Sequence, residues 1–274
     1  MSGIEPAAVA EWRAAIGRQE TRSERLEAES LRRYALAVGS DPDVERVPPP
    51  LAHWAFFLPQ APDAEIGPDG HPRRGGLLPA ITLPRRMFAA THIQFDLPLR
   101  LGEPAVHTST VVDVTHKAGR TGDLVFVEVE RVLAQEGAPR ATERQTYVYR
   151  DAGPPMPMPM PEVTPGAEMG DVWRPDEVNL FRFSAATFNS HRIHYDAPYA
   201  RDVEGYPALV VHGPFAAARL AAYAGRRGPL ASFAFRAQSP IFVGQPVRFE
   251  GDEAEVRAIR CDGAVAMSAK VTYA

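Results

Sequence analysis

A run of prolines near the middle of the chain limits most strongly what this sequence can fold into. Seven prolines fall between Asp151 and Pro175, in the segment DAGPPMPMPMPEVTPGAEMGDVWRP. Proline has no backbone N–H and a fixed φ, so this segment cannot form a helix or a central strand. We predict a semi-rigid linker over residues 151–175. It divides the 274 residues into a first half (residues 1–150) and a second half (residues 176–274).

The two halves contain short stretches that resemble each other. PLRLGEP at 98–104 matches PIFVGQP at 240–246, and YALA at 34–37 matches FSAA at 183–186. The offsets are similar, at 142 residues (240 − 98) and 149 residues (183 − 34). Two matches at similar offsets indicate that each half is one copy of a repeated unit.

Each half runs from helical segments to strands. Hydrophobic periodicity predicts helices over residues 7–16, 25–38, 178–188 and 215–224. Alternating polar and apolar residues predict strands over residues 108–114, 124–133, 143–150, 233–238, 247–258 and 264–273. This order predicts an α+β fold with an antiparallel sheet and segregated helices.

Composition excludes several functional classes. A net charge of −4 argues against a nucleic-acid-binding protein, which usually carries a basic surplus. The single cysteine, Cys261, excludes a disulfide framework and a cysteine-based metal site, and is typical of a reducing, cytoplasmic compartment. We expect no signal peptide and no membrane span, because no apolar run is long enough.

Three of the eight histidines lie between residues 191 and 212. Histidine titrates near neutral pH and is the usual general acid or base, so His191 and His194 are candidates for proton transfer. Asn189 could orient a water molecule or a carbonyl group. The alternative is a capping turn that carries surface histidines. A metal site of His191, His194 and His212 is disfavoured, since no carboxylate follows at a characteristic spacing.

A glycine begins the helix predicted after residue 212. Pro214 suits a first helical position, and Gly225 can end the helix, which is apolar nearly all round and therefore predicted to be buried. The unpaired N–H of Gly213 and the positive end of the helix dipole could polarise a substrate carbonyl. The alternative is an ordinary glycine at a helix start.

Paired arginines mark the first half. Arg73-Arg74 and Arg85-Arg86 flank a glycine-rich stretch, and paired guanidinium groups suit phosphates or carboxylates. A solvated charged surface is the alternative. Asp69-Gly70-His71-Pro72 is interpreted as a turn.

Several of these motifs together are similar to one enzyme family. Residues 183–200 read F-S-x-x-T-x-N-x-H-x-I-H-x-D-x-x-Y-A and residues 210–214 read V-V-H-G-P, which resemble the signature of the MaoC-like, R-specific enoyl-CoA hydratases. Residues 53–54, 69–72, 84–87 and 147–150 of the first half resemble the subgroup of mesaconyl-C4-CoA hydratase, itaconyl-CoA hydratase and the fungal type 2 hydroxyacyl-thioester dehydratase.

The resemblance implies a double hot-dog fold, with two antiparallel sheets that each wrap around a central helix. It also implies reversible addition of water to an enoyl thioester of CoA or of acyl carrier protein, without a cofactor or metal. His194 matches the family's catalytic histidine and Gly213 its oxyanion glycine. Asn189 stands where most of these hydratases have aspartate, and His191 where they have asparagine.

This substitution leaves the acid–base work to His194, with His191 as a helper, because Asn189 cannot act as a base. We expect one active site, in the second half, with the first half forming a wall for the substrate. A short acyl group with a free carboxylate, such as mesaconyl or itaconyl, would be bound by arginine. The expected substrate contacts are Arg192, His212, Arg85 and Arg86.

Two other functions remain open from the residues. One is a hot-dog acyl-CoA thioesterase, and the other is a protein that binds acyl thioesters without turning them over. The expected partner is an acyl-CoA or acyl-carrier-protein thioester, with no nucleic acid and no membrane. A monomer and a homodimer both fit a chain that contains two hot dogs.

Overall fold

Ten strands form one continuous antiparallel sheet in the computed structural model, which describes residues 4–119, 122–161 and 171–274. The first half contributes β1 (Gln19–Arg25), β2 (Arg85–Phe95), β3 (Pro104–Gly119), β4 (Gly122–Gln135) and β5 (Ala138–Arg150). The second half contributes β6 (Asp171–Trp173), β7 (Leu230–Ala237), β8 (Val247–Gly251), β9 (Glu255–Ile259) and β10 (Val265–Tyr273). Their order across the sheet is β1-β3-β4-β5-β2-β7-β10-β9-β8-β6.

The junction between the halves is the pair of β2 and β7, which run antiparallel from Ala90 opposite Arg236 to Gln94 opposite Ser232. The helices are α1 (Pro6–Arg13), α2 (Ala28–Ala37), α3 (Glu177–Thr187), α4 (Ala197–Asp202) and α5 (Gly213–Gly225). Short 3-10 turns lie at Ala52–Ala55, Asp63–Glu65 and Arg192–His194. Seven residues of α5 are buried, which confirms that this helix forms part of the core.

The repeat seen in the sequence has a structural counterpart. Tyr34 in α2 and Phe183 in α3 are both fully buried, and their ring centroids lie 6.4 Å apart. Residues 98–104 join β2 to β3, as residues 240–246 join β7 to β8. The two halves are therefore built to one plan, and the prediction of an α+β fold is confirmed.

The structure contains four elements that the sequence analysis does not predict, namely β1, β2, β6 and α4, and it differs in other details. The helix predicted over residues 25–38 is present as α2, and β1 precedes it; the sequence of β1, QETRSER, is an exposed, polar edge strand without an apolar pattern. The strand predicted over residues 247–258 is two strands, β8 and β9. Residues 38–84 form irregular chain and two 3-10 turns where the second half has the long helix α5.

The predicted linker over residues 151–175 is only partly correct. Residues 171–173 form β6, which pairs with β8, and residues 162–170 lie outside the described part of the chain. Residues 152–161 form no helix or strand and are bound to the second half: the Met156 N–H donates to Gly205 O (2.8 Å) and Gln245 Nε2 donates to Pro159 O (2.8 Å). Among the described residues, every helix is too short or too polar to cross a membrane.

Candidate active site

A cleft of about 1420 Å³ lies where the first residues of β2 meet the last residues of β7. Both halves line it, because the β2–β7 pair joins them at this point. Asn189, His191, His194 and Gly213 all face this cleft, so the structure brings together the four residues predicted to be catalytic.

His194 ends a 3-10 turn that is fixed on both sides. The Asp196 carboxylate caps α4 by accepting from the Tyr199 N–H (3.0 Å), and the Val210 N–H donates to Ile193 O (3.0 Å). Nδ1 of His194 lies 2.7 Å from Val210 O. A carbonyl oxygen only accepts, so Nδ1 carries the hydrogen and Nε2 keeps a free lone pair.

The environment of His194 keeps this ring neutral. Burial lowers its pKa well below 6.5, and the neighbouring imidazoles of His212 and His191 lower it further. A neutral, oriented imidazole with a free Nε2 is the form that a general base requires.

His212 supports His194 from behind. Its ring is fully buried, stacks on the His194 ring at 3.5 Å between centroids, and places Nε2 2.9 Å from Ser184 Oγ. Burial lowers its pKa to about 3, with a further contribution from His191. His212 was predicted to contact substrate, but it lies outside the cleft lining because its ring is turned towards Ser184.

Gly213 follows His212 directly and is the first residue of α5, where a backbone N–H has no acceptor within the helix. A Cβ added at Gly213 would meet only Phe88 O, at 3.8 Å, so the backbone is open to the cleft. His212 stacks on His194 and directly precedes Gly213, and both His194 and Gly213 line the cleft. This arrangement can polarise a carbonyl beside a base.

Asn189 and His191 follow the end of α3. Phe188 takes a left-handed conformation (φ 49°) and ends the helix, after which Asn189 Oδ1 accepts from the His191 N–H (3.0 Å). This contact fixes the amide so that its NH₂ group is the free donor in the cleft. The His191 ring is buried and meets His194 edge-on at 5.4 Å.

The sequence interpretation missed two residues of the site, Asp69 and His71. The His71 ring lies 4.0 Å from the His191 ring, and its Nδ1 lies 3.3 Å from Asp69 Oδ2. Burial lowers the pKa of His71 to about 4, although Asp69 raises it. Burial would raise the pKa of Asp69, but hydrogen bonds from His71 outweigh it and hold that pKa below its usual range. The Asp-x-His spacing was the available signal, and it was interpreted as a turn.

Asp69, His71 and His191 also form a group that could hold a metal ion, since their ligand atoms lie within 4.8 Å of one another. The two imidazoles, however, lie partly face to face, with an interplanar angle of 40°. The group is better described as a packed Asp–His–His cluster.

The three predicted arginine contacts differ in their placement. Arg192 lies outside the cleft lining, because it binds Asp196 (2.6 Å) and Pro68 O (3.1 Å) and stacks on Tyr199. Arg85 lines the cleft but donates to Glu204 O (2.6 Å). Arg86 also lines the cleft, and no carboxylate of the described residues lies within ion-pair distance of it.

Known hydratases and dehydratases are similar to this chain in sequence. The mesaconyl-C4-CoA hydratase of Chloroflexus aurantiacus is 42% identical over 277 residues, which cover 96% of this chain and 98% of that protein. The mitochondrial hydroxyacyl-thioester dehydratase type 2 of Schizosaccharomyces pombe is 42% identical over 82 residues, or 28% of this chain and 27% of that protein.

Solved structures share the fold. A MaoC-like dehydratase from Phytophthora capsici superposes with a TM-score of 0.66 at 14% identity and covers 97% of this chain and 98% of its own. HtdX of Mycobacterium tuberculosis superposes with a TM-score of 0.63 at 17% identity and covers 93% of this chain and 99% of its own. The family model for hydroxyacyl-thioester dehydratase type 2 matches residues 51–243, which span both halves. The chain therefore belongs to the hydroxyacyl-thioester dehydratase type 2 family of hydro-lyases.

Proposed function

We propose that this protein catalyses the reversible addition of water to the double bond of a short enoyl-CoA whose acyl group carries a second carboxylate, such as mesaconyl-C4-CoA. The observation that carries the proposal is the 2.7 Å bond between His194 Nδ1 and Val210 O, three residues before Gly213. It gives the cleft a base with a defined lone pair next to a donor for the thioester oxygen.

The reaction follows from these groups. A water molecule held by the NH₂ group of Asn189 attacks the β-carbon, and its proton passes to Nε2 of His194. The electrons of the double bond move towards the thioester oxygen, where the Gly213 N–H and the α5 dipole stabilise the enolate. The α-carbon then takes the proton from the His194 imidazolium, which returns the ring to its neutral form.

The charged side chains that lie near His191 in the cleft support a second carboxylate on the substrate. Two protein carboxylates lie there, and both are engaged: Asp69 accepts from His71, and Glu204 lies near Arg85 (3.8 Å) and His191 (3.9 Å). The Arg86 guanidinium is left without such a partner among the described residues. A carboxylate on the β-carbon would supply its counter-charge, and the uncharged Asn189 would not repel it.

The first test is turnover by the purified protein of mesaconyl-, itaconyl- and crotonyl-CoA, followed by loss of the enoyl-thioester absorbance. His194→Ala is expected to lower kcat/KM by about 10²–10⁴-fold, the usual contribution of a general base. The matched control is His92→Ala, an exposed histidine of β2. A folded His194→Ala protein with the wild-type rate would contradict the mechanism, and release of free thiol would identify a thioesterase instead.

The second test addresses the acyl group. Arg86→Gln is expected to raise KM for mesaconyl-CoA by at least about 10-fold, because a charge-assisted hydrogen bond contributes about 1.5–3 kcal/mol. Crotonyl-CoA has no second carboxylate, so its KM should change little. Arg182→Gln, on the exposed face of α3, is the control. Equal effects on both substrates would show that Arg86 does not bind the carboxylate.

A further inference from the structure

One loop of the first half is bound directly to the catalytic residues of the second half. We call residues 67–72 the docking loop and residues 189–194 the catalytic turn. The loop is a tight turn held by its own hydrogen bonds, from the Gly70 N–H to Gly67 O (2.9 Å) and from the Gly67 N–H to His71 O (2.7 Å). These bonds fix the shape of the loop where it contacts the catalytic turn.

Three hydrogen bonds to backbone carbonyl groups of the loop join it to the turn. The Arg192 N–H donates to Asp69 O (2.9 Å), and Ser190 Oγ donates to Gly70 O (2.5 Å). Arg192 Nη1 also donates to Pro68 O (3.1 Å). These bonds connect residues about one half of the chain apart in sequence, at the point where the turn leads into His194.

At Gly70 the docking loop lies so close to the catalytic turn that there is no space for a side chain. A Cβ added there would lie 1.9 Å from Ser190 O and 2.8 Å from Ser190 C, both of which are backbone atoms. A flexible side chain could move aside, but these atoms belong to the catalytic turn itself. Any residue other than glycine would have to push the loop and the turn apart.

Side chains continue the contact into the reaction centre. Asp69 holds the His71 ring, His71 packs against His191 at 4.0 Å, and His191 meets His194 edge-on at 5.4 Å. Each ring limits the positions that the next one can take.

We propose that Gly70 and His71 are positioning residues, through which the docking loop of the first half fixes the catalytic turn of the second half. The active site then belongs to both halves, although its proton-transfer residue lies in one. The effect on turnover rests on the proposed hydratase function, but the docking itself does not.

Gly17 provides a matched control for Gly70. Both glycines have φ of +86°, so alanine strains the backbone equally at the two positions, but a Cβ at Gly17 would meet nothing within 4 Å. Gly70→Ala should lower kcat by about 100-fold, the cost of a misplacement of about 1 Å, while KM changes little. Gly17→Ala should keep the wild-type kcat, and equal behaviour of the two variants would overturn the proposal.

Amide exchange tests the docking without any assay of activity. Because the Arg192 N–H is bonded to Asp69 O, its exchange with deuterium should be faster in Gly70→Ala than in Gly17→Ala. Unchanged protection of residues 189–194 would overturn the proposal even if the natural substrate were another compound.

The role of His71 is tested by ring replacement. His71→Phe keeps a flat ring against His191 and should retain kcat within about threefold of wild type, whereas His71→Ala should lose about 100-fold. Equal losses in both variants would mean that the His71 nitrogens act chemically, and would contradict a positioning role.

Discussion

Two clefts lie at opposite ends of the β2–β7 pair, and they differ in chemistry although they are similar in size. The active cleft, of about 1420 Å³, lies at the start of β2 and the end of β7. The other, of about 1450 Å³, is lined by residues 95–99 at the end of β2 and residues 229–230 at the start of β7. The repeat in the chain thus produces two equivalent positions, and among the described residues we propose that one of them carries the catalytic set.

The difference lies in the residues that come after α2 in the first half and after α3 in the second half. After α3 the chain supplies Asn189, His191 and His194 and then the amino end of α5. After α2 it supplies Asp41 and Asp43, whose carboxylates bind Arg46, and then irregular chain. We therefore expect a catalytic site in this architecture to need both an imidazole on the turn and a helix that presents its N–H groups.

Two core residues at equivalent positions, Tyr34 of the first half and Phe183 of the second half, allow a test of this comparison. Phe183→Ala and Tyr34→Ala should each lower the free energy of unfolding by about 3–5 kcal/mol, the usual cost of removing a buried aromatic ring. Only Phe183 contacts the catalytic cluster, since its ring lies 4.9 Å from the His212 ring and 4.8 Å from the Phe215 ring. We expect a loss of kcat for Phe183→Ala alone, measured at a temperature where both variants are folded.

Chemical denaturation gives the stability change, and steady-state kinetics gives kcat. Equal losses of kcat in the two variants would show that the halves contribute alike, and would contradict the assignment of a single active site.

The second test concerns the face of the first-half sheet that lines the active cleft. No long helix covers it among the described residues, and a polar network faces the active cleft. Burial would raise the pKa of Glu143, but donors from His53, Trp54 and Gln145 lower it to about 2. Gln145 Oε1 in turn accepts from Arg131 Nε (2.8 Å). The Gln145 amide thus links the Glu143 carboxylate to the Arg131 guanidinium, and their opposite charges compensate each other.

Glu143→Gln is expected to lower the free energy of unfolding by about 3 kcal/mol, because it leaves the Arg131 charge uncompensated. The double variant with Arg131→Met should recover about 1 kcal/mol or more. Glu128→Gln is the control, since the half-exposed Glu128–Arg144 pair contributes little. A Glu143→Gln protein as stable as the control would show that the network is not a charge pair.

Local features of the sequence predicted most of the second half. The Asp176 carboxylate caps α3 and Pro214 is the second residue of α5, so these boundaries are encoded within a few residues. The short helix α4, capped by the Asp196 carboxylate, is not among the predicted helices. β1 could not be predicted, because an exposed edge strand has no apolar face to reveal its period. Its position depends on pairing with β3.

The residues of the candidate site could likewise be predicted only where they lie close together in the sequence. Asn189, His194 and Gly213 lie within one short segment, and their grouping could be predicted from the sequence. Asp69 and His71 reach this group only through tertiary contact, across a sequence separation such as the 120 residues between Gly70 and Ser190. The placement of Arg192 also escaped prediction, because its binding to Asp196 takes it away from the cleft.

The smallest expected effect concerns a half-buried histidine of the first half, His107, that has no role in the proposed reaction. Burial and the positive charge of Arg131 together lower the pKa of His107 to about 4. Because the folded-state pKa lies below that of the unfolded chain, the unfolded state binds the proton first, and stability is lost as pH falls below about 6.5. Phenylalanine keeps the stack on Phe57 (5.0 Å) and cannot be protonated.

His107→Phe should therefore match wild type at pH 7.5 but lose less stability on acidification, by about 1 kcal/mol at pH 5.5. Denaturant unfolding at both pH values measures this difference. A variant that loses as much stability as wild type would show that His107 is already protonated in the folded protein. In that case the first half would hold a charged imidazole on the cleft, and the two halves would differ less in their electrostatics than the neutral ring implies.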